Sequence, residues 1–87
     1  MAVTLQAAED LSGVLRKALP VANPMVDHYI SQNVWDQAIL ESLATFVAEK
    51  VALPTDVRQM VEEFINREGM SPNFYRFAAY NLERIPV

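Results

Sequence analysis

From Asn33 to Leu53 the chain reads NVWDQAILESLATFVAEKVAL, the most continuous patterned stretch it contains. Wound as an α-helix at roughly 100° per residue, it gathers Trp35, Ile39, Leu40, Leu43, Ala44, Phe46, Val47 and Val51 on about half its circumference. Gln37, Glu41, Ser42, Thr45 and Glu49 take the other half. An apolar arc that wide is more than one neighbour can cover. The pattern therefore predicts a central helix over 34–53 with partners on two sides, and it places Trp35, Leu43 and Phe46 deepest.

Proline, glycine and small polar residues punctuate the rest. Thr4 is placed to cap a helix over 5–19, whose Leu5, Ala8, Leu11, Val14, Leu15, Ala18 and Leu19 share an arc. Gly13 inside that pattern costs about 1 kcal/mol against alanine and suggests a helix crossing closely there. Pro20 ends the segment. Asn23-Pro24 carries the signature of a cap followed by a first-turn proline, opening a short helix over 24–32 with Met25, Val26, Tyr29 and Ile30 inward. Ser31-Gln32-Asn33 then suggests a bend, with Asn33 capping the central helix.

Pro54 closes that helix, and Thr55 is placed to cap one over 56–67 with the stripe Val57, Met60, Val61, Phe64, Ile65. Arg58 with Glu62 and Glu63 with Arg67 stand four residues apart on its outer face. Gly69 suits the left-handed residue after its C-terminus. Ser71-Pro72 repeats the cap-and-proline start for a helix over 72–84 that is rich in aromatics: Phe74, Tyr75, Phe77 and Tyr80. Ile85-Pro86-Val87 reads as an extended apolar tail. Together these segments predict an all-α fold, a compact bundle of four to five short helices in a single domain over 1–87.

Composition narrows the function classes. The 87 residues hold no cysteine, one histidine and two glycines, so thiolate metal sites, disulfides and glycine-rich phosphate loops are excluded. His28 lacks further ligands at helical spacing. No carboxylate pair stands on an apolar face, and the serines lack a nucleophile context. The expectation is therefore a non-enzymatic protein with no metal and no cofactor. A formal charge of −4 disfavours non-specific binding to nucleic acid or to an anionic membrane. The N-terminus lacks a secretory pattern and no apolar run spans a bilayer, which points to the cytoplasm.

Two surfaces are candidates. The run VEEFINREGMSPNFYRFAAYNLERI resembles a helix-turn-helix, with Gly69 at the turn, Met70 beneath it, and Phe64, Tyr75 and Ala78 at apolar positions. The resemblance implies a DNA-binding regulator using 57–84, with Asn73, Arg76 and Asn81 on the recognition helix. Ile65 stands where that motif takes a small residue, and the few cations are spread rather than concentrated. The preferred alternative is a small acidic protein-binding or regulatory module that also associates with its own copy as a homodimer. Its surface would be the aromatic last helix and tail, namely Phe77, Tyr80, Arg84, Ile85 and Val87, because aromatic side chains favour interface centres.

Overall fold

The computed structural model describes residues 5–87, so the proposed Thr4 cap lies outside the described residues. Five helices form in the predicted order: α1 (Leu5–Ala18), α2 (Pro24–Ser31), α3 (Trp35–Glu49), α4 (Thr55–Ile65) and α5 (Pro72–Arg84). The all-α bundle expected from periodicity is the fold observed. α3 packs against α1, α2 and α5, while α4 closes the bundle across α1 and α5. The core is continuous, running from Leu11 and Leu15 through Ile39, Leu43 and Phe46 to Val61, Phe64, Phe74, Leu82 and Ile85.

The centre of α3 is surrounded on three sides rather than two, and this revises its polar half. Ser42 and Thr45, placed outward by the sequence pattern, are buried. Their hydroxyls donate to carbonyls one turn back, Ser42 Oγ to Ala38 O at 2.7 Å and Thr45 Oγ1 to Glu41 O at 2.9 Å. A hydroxyl satisfied by its own helix can be buried at little cost, so these residues do not mark a wet face. Leu43 and Phe46 are buried as expected. Trp35 is only half-buried, because as the first residue of α3 it lies at the rim, beside Gly13 and Ile30. Gly13 itself meets nothing within 4 Å of where a Cβ would stand, so no close helix crossing accounts for it.

Helix ends explain the other boundary shifts. Asn33 does not cap α3. It adopts φ 59° and forms the left-handed turn after α2, with its N–H on Ile30 O at 3.1 Å and the Val34 N–H on Tyr29 O at 2.9 Å. Asparagine tolerates that conformation better than most residues, and the paired bonds satisfy the last carbonyls of α2. α3 then begins at Trp35, with Val34 at its N-cap position and no side-chain cap. Its far end stops at Glu49, four residues before the predicted Leu53, through the same device. Lys50 takes φ 56°, and Lys50 N–H and Val51 N–H donate to Val47 O and Phe46 O, each at 3.2 Å. Val51 is consequently outside the helix and exposed.

A lysine in this left-handed position costs about 1 kcal/mol that glycine would not incur. Lys50→Gly should therefore raise stability by roughly 0.5–1 kcal/mol, read as a higher denaturant midpoint, whereas Lys50→Ala should not.

α4 starts at Thr55 after Pro54, with no side-chain cap, and ends at Ile65 rather than Arg67. Gly69 does take the left-handed conformation, at φ 85°, but in the connecting turn rather than directly after the helix. Met60, at the edge of the stripe, is exposed. Arg58 and Glu62 stand at a loose 3.8 Å, while Glu63 accepts from Gln59 Nε2 at 3.1 Å and Arg67 lies over the Phe64 ring. Arg58 is mainly a tie between helices, its Nη2 donating to Leu82 O near the C-terminus of α5 at 3.1 Å.

Both cap-and-proline starts form as read. Ser71 Oγ accepts from Phe74 N–H at 3.4 Å, and Asn23 Oδ1 accepts from Met25 N–H at 3.0 Å. Asn23 also reaches across to α3, donating through Nδ2 to Thr45 Oγ1 at 2.8 Å. Asn23→Ala should cost about 1–2 kcal/mol in a urea melt, combining a lost cap with the loss of the amide donor to Thr45 Oγ1. Asn23→Asp keeps the cap but turns a second carboxylate toward Glu41, 3.4 Å away. An aspartate variant as stable as the parent would show that the link to α3 contributes nothing.

Candidate interaction surface

α5 lies against α3 on one side and α4 on the other, and its phase decides what remains outside. Phe74, Ala78 and Leu82 point into the bundle at four-residue intervals, and Phe74 meets Phe64 edge-on with ring centroids 5.9 Å apart. The opposite face presents Asn73, Phe77, Tyr80 and Arg84, spaced by four, three and four residues. Phe77 is 58% exposed and Tyr80 55% exposed, large fractions for aromatic rings on a structured helix. The Arg84 guanidinium stacks on the Tyr80 ring at 3.4 Å and donates from Nη1 to Tyr80 O at 2.9 Å. That contact holds a cation and an aromatic ring in one fixed arrangement.

Two apolar grooves flank this face. One, of about 320 Å³, runs between α5, the first turns of α3 and α1, and the α4–α5 connection. Ala8, Leu40, Phe64 and Phe74 form its apolar lining, and the exposed side chains of Leu5 and Phe77 border it. Asp36, Gln37 and Asn73 supply its polar edge. The second groove lies on the other flank of α5, lined by Pro72, Tyr75, Arg76, Tyr80 and Glu83, and Met70 borders both. An apolar floor with a polar rim is the layout of contact surfaces.

Of the residues expected on this surface, Phe77, Tyr80 and Arg84 stand together on one face of α5. Val87 is exposed at the chain end, beyond the helix. Ile85 is a correction: it is 3% exposed and belongs to the core. It follows Phe74, Ala78 and Leu82 in phase, so its side chain turns inward although its backbone is already extended. Leu5, Leu40, Met70 and Asp36, which line the groove beside Phe77, were not anticipated. They come from three other segments, and no local spacing joins them to α5.

The helix-turn-helix resemblance fares differently residue by residue. Met70 packs against the core beneath the connection, as that motif would have it. The connection spans 66–71, however, longer than the motif's three or four residues, because α4 stops early. Tyr75, expected at an apolar position of the motif, is exposed. Asn73 and Arg76 are exposed but border different grooves, and Asn81 donates to Phe77 O at 2.9 Å. Each groove has a carboxylate beside it, Asp36 in one and Glu83 in the other. Arg16 pairs with Asp27 at 2.8 Å, far along the chain from α5, so these cations form no common stripe.

His28 is exposed and tilted against Tyr29, and no group of three or more metal-ligating side chains occurs among the described residues. No helix among them is long and apolar enough to cross a membrane. Comparison with protein-family models, with curated proteins and with solved structures finds no match.

Proposed function

We infer that this chain is a small, acidic, non-enzymatic protein-binding module of regulatory type, acting in the cytoplasm through the outward face of α5 and associating with its own copy. One observation carries the reading. Phe77 and Tyr80 stand side by side, more than half exposed, on a helix whose buried face is already fully used. Exposed aromatic pairs of this kind are disfavoured in water and are typical of interface centres. The apolar groove beside Phe77 adds a recess in which a partner's side chain can be buried.

Sedimentation velocity on the full chain, from about ten to a few hundred micromolar, tests the reading. The parent should shift toward dimer with rising concentration. Tyr80→Glu should remain monomeric throughout while keeping its helical circular dichroism, because it puts a carboxylate at the centre of the contact. A dimer unaffected by Tyr80→Glu would move the interface away from α5.

A further inference from the structure

We propose that the partner of the α5 face is a second copy of this chain, docked with the two α5 helices antiparallel about a two-fold axis. The proposal rests on the self-association through α5 proposed above and adds the direction in which the two copies meet. Asn73, Phe77, Tyr80 and Arg84 follow the four–three–four spacing of a helix–helix packing seam. In an antiparallel pair centred between Phe77 and Tyr80, Phe77 of one copy faces Tyr80 of the other. Asn73 then faces Arg84. A parallel pair would instead bring Arg84 onto Arg84.

The charges at the two ends of the seam favour the antiparallel order. Arg84 closes the C-terminal end of the seam, lying back on the Tyr80 ring with only a loose 3.8 Å pairing to its neighbour Glu83. At the N-terminal end, Asp36 of α3 borders the same groove as Asn73 and makes no ion pair among the described residues. Opposing the helices therefore places Arg84 of each copy beside Asp36 of the other, twice by symmetry. Every element of the contact is supplied by one chain, so a net charge of −4 does not prevent self-recognition.

The 13 residues of α5 span roughly 20 Å. A contact along one such helix is at the small end of specific interfaces, on the order of 1,000 Å² in total, so the dimer forms at tens to hundreds of micromolar.

Charge reversal in the intact 87-residue chain tests direction and partner together. Asp36→Arg and Arg84→Asp, studied separately by sedimentation velocity, should each dimerise roughly tenfold more weakly than the parent, since each replaces two attractions by two repulsions. An equimolar mixture of the two variants should recover dimer, because the heterodimer restores one Arg–Asp pair and creates its reverse. Thermal melts establish that both variants are folded. If the parent dimer is lost on Phe77→Asp yet the mixture recovers nothing, the antiparallel order is wrong and α5 remains the contact face. A dimer indifferent to Phe77→Asp overturns both. A parent that stays monomeric to about 300 μM rules out the second copy and leaves the face to a different protein.

Discussion

Phe46→Ala should lower the melting temperature by roughly 15–30 °C. Phe46 is 1% exposed on α3, the helix that touches α1, α2 and α5, so its ring is enclosed from three directions. Truncating an aromatic ring in such a place costs about 3–5 kcal/mol, because the transfer term is lost and the surrounding helices cannot all collapse into the void. A domain of 87 residues has roughly 4–13 kcal/mol of stability in total, and each kilocalorie moves the midpoint by about 4–8 °C. Phe46→Leu keeps most of the volume and should cost less than half as much. Calorimetry on the two variants decides the matter. A Phe46→Ala protein that melts within a few degrees of the parent would mean that α3 is not the centre of the bundle.

The route from sequence to this fold was shortest where a residue's role is local. Asn23-Pro24 and Ser71-Pro72 act within one turn of chain, and both caps form, accepting from Met25 N–H and Phe74 N–H. It was longest where two helix ends compete for the same residue. Asn33 is chemically suited to cap the helix after it or to terminate the helix before it, and the second role wins. Lys50 shows the limit of propensity from the other side. Nothing about lysine favours a left-handed turn, yet the helix ends there and the chain turns toward Leu53, which is buried in the core. Ser42 and Thr45 were misplaced because a hydroxyl carries its own means of burial, a carbonyl four residues back.

The candidate surface was legible by half. The aromatic excess of α5 is a one-dimensional signal: four rings on a dozen residues exceed what one buried stripe needs, and Tyr75, Phe77 and Tyr80 are the surplus. The groove beside them was not readable, since Leu5, Leu40 and Asp36 reach it from α1 and α3. Asp36 looks on its own like an ordinary first-turn acid of α3, suited to the helix dipole. Only the packing of α3 on α5 brings it next to Asn73.

Ile85 sits where the two kinds of signal collide, and its substitution has the second large expected effect. Its phase continues the buried stripe of Phe74, Ala78 and Leu82, which argues for the core. The proline after it argues for a tail, since Pro86 excludes the helical conformation from the preceding residue. Both hold in the structure. The backbone of Ile85 is extended, at φ −76° and ψ 130°, while its N–H still donates to Asn81 O at 3.0 Å and its side chain is buried. Ile85→Ala should therefore cost about 2–5 kcal/mol and lower the melting temperature by on the order of 10–25 °C, with no effect on self-association specific to it. Removing Pro86 and Val87 should cost little by comparison, because both are exposed. The opposite pattern, a normal melt with self-association abolished, would return Ile85 to the surface and make the chain end part of the contact. Comparing Ile85→Ala with Tyr80→Glu in the same two assays separates a residue that holds α5 in place from one that belongs to the proposed contact face.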